Sequence, residues 1–383
     1  MTAMKTLFFL LFTFVSIACS SSPSQSEEPE MPGTPNTPDN TVKPSNPTPD
    51  NNLPACPGGF ATLTQVPTGG QGGKTQVVTT LAELISALKS SEPLIIYVKG
   101  EITFTSMQKV LAQNKTLIGL NGSKLVSTQR TEVDSSGKST TGILYIQNGS
   151  SNLILRNLTF ESAGAYDCDG NDNLCIDGTT RIWVDHCDFQ DGVDGNFDCK
   201  NASDEITVSW CRFHYLKEPL AGGPGGSDDH RFTNLWGSSQ NNTHDRGHLR
   251  TTFYGCWWDE GCRERMPRVR FGQVHIANCL YSSTATNYCI GLGYEASVLV
   301  ERTVFSGIPA KKYIYKTITE KDKEGIERGG IVELKDCTFP NSPAAESTGT
   351  TFTPTYSLTT LPVSEVEAKV RAEAGATLNV EEP

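Results

Sequence analysis

An apolar run long enough to span a membrane is missing from the amino end of this 383-residue chain. The apolar stretch there, residues 7–18, is much shorter than the roughly 20 residues that a spanning helix needs. Lys5 precedes this stretch and Cys19 follows it directly. We therefore expect residues 1–19 to be an export signal that ends in a lipidated cysteine, as in bacterial outer-membrane lipoproteins on the periplasmic or cell-surface side. Simple secretion with cleavage nearby is the alternative.

Positive charge is also scarce, because 32 Lys and Arg stand against 43 Asp and Glu and give a formal net charge of −11. This balance disfavours nucleic acid as a ligand. Residues 20–53 and 341–383 each carry −4, so the region between them is only mildly acidic and local clusters must decide the ligand. Residues 20–53 are rich in Ser, Pro, Thr, Asn and Asp, which predicts a disordered tether before a domain at 54–383.

Cys-x-x-Cys pairs, which are typical of structural zinc sites, do not occur among the 12 cysteines. Five cysteines instead occupy the seventh place of a nine-residue segment that recurs along the chain. The copies begin at residues 152, 181, 205, 250, 273, 297 and 331. We expect the five thiols to be small hydrophobic groups of a core. They belong to Cys187, Cys211, Cys256, Cys279 and Cys337.

The recurring segment has the pattern of a β-strand. Its second and fourth places are apolar in nearly every copy, and its ninth place is always aromatic, from Phe160 to Phe339. Such alternation turns one face of a strand inward, and spacings near 24 residues with longer insertions are typical of a solenoid. A leucine-rich repeat is excluded because its Leu and Asn pattern is absent. We predict an all-β, right-handed parallel β-helix with stacked aromatic rings and coils about 4.8 Å apart.

The ends of a solenoid need caps. Residues 80–90 predict a short amphipathic helix that closes the first coil, with Leu81, Leu84, Ile85 and Leu88 on one face. Residues 363–374 predict a second helix that lies back on the solenoid.

Three aspartates stand just before consecutive copies of the repeat. Asp172 precedes the second copy by nine residues, and Asp194 and Asp198 precede the third by eleven and seven. Neighbouring coils would bring them within a few ångströms of one another. Three carboxylates so close need a cation, and Ca²⁺ suits hard oxygen ligands in a flexible geometry. The alternative is that all three are solvated turn residues.

A basic cluster, RERMPRVR at residues 263–270, directly precedes the fifth copy. We expect Arg265 and Arg270 to lie on the same side of the solenoid as the aspartates, two or three coils further along. Guanidinium groups bind carboxylates through paired hydrogen bonds, so this row would suit a polyanion. The alternative is a surface ion-pair patch that involves Asp259, Glu260 and Glu264.

Three motifs in fixed order, WVDH at 183–186, VSW at 208–210 and RMPRVR at 265–270, resemble the diagnostic motifs of the pectate lyase family that uses parallel β-helices. The resemblance extends from about Gly69 to the last repeats. It implies a calcium-dependent lyase that cleaves α-1,4-linked polygalacturonate by β-elimination, with 4,5-unsaturated oligogalacturonides as products. Calcium would stabilise the enolate-like transition state and join an acidic protein to an acidic polymer.

The resemblance also implies roles for individual residues. Asp172, Asp194 and Asp198 correspond to the calcium ligands, Arg265 to the Brønsted base, and Arg270 to the arginine that grips the substrate carboxylate.

The family's substrate-binding lysine follows the VSW coil. Counting without a gap reaches Glu218, and a shift of one residue in the loop assigns the role to Lys217. The long insertion at 219–248 is expected to form one wall of the cleft. We expect a monomer that binds pectate, binds no nucleic acid, and meets a membrane only through its lipid anchor.

Three other functions remain open from the sequence. A pectin lyase would act on methylated substrate without calcium. A polygalacturonase would need paired carboxylates, for which Asp228 and Asp229 are the candidates. A non-catalytic pectin-binding solenoid would explain the repeats but not the charged clusters.

Overall fold

The computed structural model describes residues 55–136 and 138–383. The predicted export signal (1–19) and tether (20–53) lie outside the described residues. Within the described part, the chain winds into successive coils that build three parallel sheets, as predicted for a right-handed parallel β-helix. No helix among these residues is both long and apolar enough to cross a membrane.

The strands alternate among the three sheets in chain order. Their bounds are β1 (Lys74–Val78), β2 (Leu94–Val98), β3 (Glu101–Phe104), β4 (Gln108–Val110), β5 (Gln113–Gly119), β6 (Lys124–Ser127), β7 (Leu144–Ile146), β8 (Ser151–Arg156), β9 (Thr159–Glu161), β10 (Leu174–Asp177), β11 (Thr180–Asp185), β12 (Asp188–Gln190), β13 (Phe197–Lys200), β14 (Asp204–Ser209), β15 (Arg212–His214), β16 (Leu235–Trp236), β17 (Thr251–Tyr254), β18 (Trp257–Trp258), β19 (Arg268–Val269), β20 (Gln273–Ala277), β21 (Leu280–Tyr281), β22 (Tyr288–Leu292), β23 (Ser297–Glu301), β24 (Val304–Phe305), β25 (Tyr313–Thr317), β26 (Glu320–Lys321), β27 (Glu327–Arg328) and β28 (Ile331–Lys335).

The first sheet has ten strands in the order β1-β2-β5-β8-β11-β14-β17-β20-β23-β28. The second has the order β25-β22-β19-β16-β13-β10-β7-β4, and the third β24-β21-β18-β15-β12-β9-β6-β3. Strands β26 and β27 form a separate antiparallel hairpin. Asp198 lies in the second sheet, and Asp172, Asp194, Arg265 and Arg270 lie within three residues of its strands.

The predicted repeats begin in the strands of the ten-stranded sheet. The second place of each copy pairs with the second place of the next copy, as Leu153 does with Ile182 and Ile182 with Ile206. This register continues through the later copies. The repeat predicted from the sequence is therefore one turn of the solenoid.

The aromatic ninth places stack inside the core, as predicted. Adjacent ring centroids lie 4.5 to 5.6 Å apart with interplanar angles of 11° to 17°. The stack contains Phe160, Phe189, Phe213, Trp258, Tyr281, Phe305 and Phe339. The cysteines of the seventh place also point inward as free thiols, and only Cys337 among them is partly exposed.

Two helices cover the structure where the sequence predicted them. Helix α1 (Leu81–Lys89) begins with a capping box, in which Thr80 accepts a hydrogen bond from the Glu83 backbone and Glu83 accepts one from the Thr80 backbone. It buries Leu84 and Leu88 against the first coil. Helix α2 (Val363–Glu373) buries two valines against the outside of later coils.

Candidate active site

The register of the second sheet brings two of the predicted aspartates together. Asp198 in β13 pairs with Cys175 in β10, and Asp172 stands two residues before β10. There the Asn173 backbone donates a hydrogen bond of 3.1 Å to the Gly195 carbonyl. A Cβ atom on Gly195 would lie 2.7 Å from Oδ1 of Asp172 and 3.2 Å from Oδ1 of Asp198. The two carboxylates therefore face one small space that a side chain at Gly195 would fill.

The third aspartate, Asp194, lies close enough to Asp172 and Asp198 for its charge to raise the pKa of both. Its Oδ2 accepts a 2.6 Å hydrogen bond from the Gly170 backbone, and its Oδ1 lies 3.1 Å from Nε2 of His230. The other ring nitrogen of His230 lies 3.0 Å from Oδ1 of Asp167, whose Oδ2 accepts from the Ser227 backbone. The His230 ring is buried, but neither ring nitrogen makes a contact with hydrogen-bond geometry.

His230 and Asp167 were not predicted as part of the site. His230 belongs to the insertion at 219–248, which has no periodic pattern in the sequence. Its position becomes visible only once the insertion is folded against the coil that carries Asp194.

Electrostatics at the site favour a bound cation. Loss of hydration raises the pKa of Asp172 well above its usual value, with Asp198 and Asp194 adding to the effect. Loss of hydration, followed by the charge of Asp194, raises the pKa of Asp198 to about 7. Loss of hydration also acts to raise the pKa of Asp194. The contact with His230 opposes this effect, and the pKa of Asp194 is lowered.

A divalent cation with oxygen ligands fits this donor set. Asp172 is buried, and its Oδ1 has no hydrogen-bond partner among the described residues. Carboxylates that repel one another, together with an orphaned carboxylate oxygen, suit a hard ion such as Ca²⁺.

Arg265 lies beside the aspartates. For each of Asp172, Asp194 and Asp198, loss of hydration is the largest influence and raises the pKa. The positive charge of Arg265 acts in the opposite direction and lowers the pKa of all three. Its guanidinium carbon is 4.7 Å from the centroid of the Phe232 ring, and its buried Nε has no hydrogen-bond partner among the described residues. Within residues 55–136 and 138–383, the guanidinium of Arg265 therefore has no carboxylate as an ion-pair partner.

Arg270, in contrast, is buried and engaged by protein groups. Its Nε and Nη2 donate to the Glu320 carboxylate at 2.6 to 3.0 Å, and its Nη1 donates to the Gly237 carbonyl at 2.7 Å. Arg268 donates to the same carboxylate at 2.8 Å. Glu320 was not predicted, because it lies 50 residues along the chain from Arg270.

The expected ion-pair partners of the basic cluster are engaged elsewhere. Asp259 pairs with Arg212 at 2.6 Å. Glu264 accepts a hydrogen bond from Asn287 at 2.8 Å. The basic cluster forms ion pairs with other acids, Arg263 with Asp229 at 2.9 Å, and Arg268 and Arg270 with Glu320 at 2.8 and 2.6 Å.

Comparisons with known proteins identify the family of this chain. A family model described as pectate lyase matches residues 48–379. Pectate lyase B of Colletotrichum gloeosporioides is 33% identical over 334 residues, which cover 85% of this chain and 86% of that protein. Pectate lyase E of Dickeya chrysanthemi is 32% identical over 337 residues, which cover 73% and 78%. The chain belongs to the pectate lyase family.

Solved structures of the family share the fold. A pectate lyase from Bacillus sp. N165, determined in complex with trigalacturonate, has a TM-score of 0.61 at 21% identity and covers 83% of this chain and 98% of its own. A Bacillus subtilis pectate lyase has a TM-score of 0.64 at 21% identity, with 83% and 96% covered. As a member of the pectate lyase family, this chain is a polysaccharide lyase.

Lys217, the lysine that the family resemblance selected, points towards an earlier coil. Its Nζ lies 3.1 Å from Oε1 of Glu161 and 2.5 Å from the Ser162 carbonyl. A more distant contact of 3.8 Å joins it to Asp191. These contacts place its ammonium group beside Glu161, and the side chain is still 39% exposed.

Lys200 is the basic residue that the sequence reading missed. It follows Asp198 by two residues in β13, so strand alternation places both on the same face. Loss of hydration alone would lower the pKa of Lys200, but nearby acidic groups, Asp172 and Asp198 among them, raise it. Its Nζ also lies 5.0 Å from the centroid of the Tyr145 ring. Alternation along β13 was the pattern that would have found it.

Proposed function

We propose that this pectate lyase cleaves α-1,4-linked polygalacturonate by calcium-dependent β-elimination. The observation that carries the proposal is the single space faced by Asp172 and Asp198, with Arg265 beside it. Asp172, Asp194 and Asp198 would hold the calcium ion. When bound, calcium would supply positive charge that stabilises the enolate-like transition state next to the uronate carboxylate.

The residues of the chain would divide the reaction between them. Arg265, as a neutral guanidine, would accept the proton from C5 of the galacturonate and become a guanidinium ion. The electrons of that C–H bond form the C4–C5 double bond, and the glycosidic oxygen leaves C4 and takes up a proton. The unsaturated sugar is the new non-reducing end of one product.

Substrate binding would use basic residues around the aspartates. Arg270 and Lys217 would contact uronate carboxylates, as the family resemblance implies. Lys200 would add a third positive charge next to Asp198. Together they would offset the negative charge of the protein where the polyanion binds.

The environment of Asp228 and Asp229 argues against hydrolysis. Asp229 lies 2.6 Å from Arg231 and 2.9 Å from Arg263. Loss of hydration would raise the pKa of Asp229, but the two arginines outweigh it and lower the pKa. A permanently paired carboxylate is poorly suited to general acid or base work with water.

The deciding experiment measures the ultraviolet absorbance of unsaturated products. Purified protein is incubated with polygalacturonate, first with calcium, then with a chelator, and then with calcium restored. We expect absorbance to appear with calcium, vanish with the chelator and return on restoration. Reducing ends without absorbance would indicate a hydrolase, and full activity in chelator on methylated pectin would indicate a pectin lyase.

Export completes the proposal, since a polymeric substrate must be met outside the cytoplasm. Residues 1–19 would direct export, and lipidated Cys19 would retain the enzyme at the outer membrane. Replacing Cys19 with Ser should release the protein from the membrane fraction if this anchor exists.

A further inference from the structure

We call the face of the solenoid that carries Asp172, Asp198 and Arg265 the groove, and Arg268 and Arg270 its wall. A carboxylate carried on a separate hairpin contacts this wall. The hairpin consists of β26 and β27, and Glu320 is its first residue. Four donors converge on the Glu320 carboxylate: Nε and Nη2 of Arg270, Nη2 of Arg268 and the Tyr294 backbone N–H. Gly293 makes room for it, since a Cβ there would lie 2.8 Å from Oε2 of Glu320.

The hairpin is tied down on both sides. Gln240 donates to the Lys321 carbonyl at 2.9 Å, and the Lys323 backbone donates to Asn241 at 2.7 Å. The hydroxyl of Tyr294 donates to Asp322 at 2.7 Å. These contacts make Glu320 a fixed part of the wall.

The wall belongs to the same side of the solenoid as the aspartates. Cys199 in β13 pairs with Trp236, which pairs with Val269. Asp198 directly precedes Cys199, and Arg268 directly precedes Val269. Asp198 and Arg268 therefore lie two coils apart on one face of the solenoid. A polyanion that reaches the aspartates along this face therefore meets Arg268 and Arg270.

Two of the five N–H groups of Arg270 remain without a partner among the described residues, after three are used by Glu320 and Gly237. A substrate carboxylate that replaced Glu320 would have to match all four donors that Glu320 already satisfies. The geometry therefore favours a Glu320 that stays in place while the arginines offer their remaining N–H groups.

We propose that Glu320 is a positioning residue for substrate binding, which acts through Arg268 and Arg270 and fixes the direction of their free N–H groups towards uronate carboxylates. The inference rests on the proposed function. Fixed donors bind a planar carboxylate better than mobile ones, because less side-chain freedom is lost on binding. The wall also keeps a net charge of +1 instead of +2, which limits repulsion between the two arginines.

The test compares Glu320→Gln with Glu327→Gln. Glu327 is the control because it lies on the same hairpin, is exposed, and forms an ion pair with Lys321 at 3.9 Å. We expect Glu320→Gln to raise KM for polygalacturonate roughly tenfold with kcat nearly unchanged. Glu320→Asp should recover part of the loss, and Glu327→Gln should match the wild type.

Binding is measured separately by calorimetry with trigalacturonate, and folding by thermal unfolding. An unchanged or lower KM in a folded Glu320→Gln variant overturns the proposal, and a lower KM would mean that Glu320 competes with substrate. If Glu320→Gln does not fold, Tyr294→Phe is tested in its place. It removes the hydrogen bond from the Tyr294 hydroxyl to Asp322, which loosens the hairpin, and it should also raise KM. A wild type that yields no unsaturated product would refute the proposed function instead, and the trigalacturonate comparison would still decide the role of Glu320.

Discussion

Arg265 has a backbone that few residues with a Cβ atom adopt. Its φ is 59°, in the left-handed region, and its carbonyl accepts a 2.6 Å hydrogen bond from the Asn234 backbone. Such conformations persist where surrounding structure fixes them, and they cluster at functional sites. In Arg265 this conformation occurs at a residue that lies beside Asp172, Asp194 and Asp198 and that pairs with no carboxylate among the described residues.

Replacing Arg265 with Lys should separate chemistry from binding. Lysine keeps the positive charge but not the reach or geometry of the guanidinium group. We expect kcat to fall about 100-fold or more, in the range for loss of a general base, while trigalacturonate affinity changes little. Product absorbance and calorimetry measure the two quantities.

Arg263→Lys serves as the control, because Arg263 pairs with Asp229 outside the group of aspartates. It should retain turnover. Equal losses of affinity and turnover in Arg265→Lys would remove Arg265 from the role of base.

Gly195 is the second residue whose replacement tests the site. An alanine Cβ would lie 2.7 Å from Oδ1 of Asp172, so the carboxylate must move. We expect Gly195→Ala to weaken calcium binding roughly tenfold or more, as displaced ligands commonly do. Calcium titration by calorimetry measures this without reference to activity.

Gly349→Ala is the matched change elsewhere, since its Cβ would meet Ile331 at an ordinary 3.7 Å. Its calcium affinity should equal that of the wild type. Unaltered affinity in Gly195→Ala would show that the ion is held away from Asp172.

At the scale of structural elements, the aromatic stack holds successive coils in register. Phe213 lies between Phe189 and Trp258, with centroid distances of 5.3 and 5.6 Å. Phe339 ends the stack, and among the residues that the structure describes its one stacked neighbour is Phe305, at 5.5 Å. The same substitution therefore removes two stacked pairs at Phe213 and one at Phe339.

Phe213→Leu should destabilise the protein by about 1 kcal/mol more than Phe339→Leu, which corresponds to one additional aromatic pair. Urea denaturation of both variants and the wild type measures the difference. Equal costs at the two positions would mean that neither the second stacked pair nor the deeper burial of Phe213 adds to stability.

The positions of residues in the repeated coils could be predicted from the sequence, whereas those of residues in the insertions could not. The repeat fixes which residues pair across coils, so Asp172, Asp198 and Arg265 could be assigned to one groove. Lys200 was not predicted, although the same alternation could have found it. His230 and Glu320 lie in insertions between coils. The position of an insertion depends on tertiary contacts, such as those of Asp167 with the Ser227 backbone, and no periodic pattern encodes them.

At the scale of the whole molecule, most of the net negative charge belongs to two segments, residues 20–53 and 341–383, which carry −4 each. The net charge of −11 would repel a polyuronate at long range, whereas Lys200, Arg265, Arg268 and Arg270 gather on one face of the solenoid. The fold thus gathers basic side chains on one face of a protein whose net charge is negative. Calcium binding would lower the remaining repulsion, both within the protein and towards the polymer.

The stability of the metal-free protein should therefore fall as the pH rises through about 7. The pKa of Asp198 is about 7 in the folded state against 3.8 for an ordinary aspartate, and that of Asp172 is also raised. At a pH between 3.8 and about 7, the folded protein keeps a proton on Asp198 that the unfolded chain has released. The contribution of Asp198 to stability is therefore complete below pH 3.8 and is lost as the pH rises through about 7.

Thermal unfolding in chelator at pH 6 and pH 8 measures this loss, and we expect a lower Tm at pH 8. Added calcium should raise Tm more at pH 8 than at pH 6, because the ion binds ionised carboxylates and protons compete with it. Asp198→Asn in chelator should show a weaker dependence on pH, since asparagine does not titrate. A metal-free wild type with the same or a higher Tm at pH 8 would mean that the aspartates are already compensated by the protein, and the groove would then have no electrostatic need for a cation.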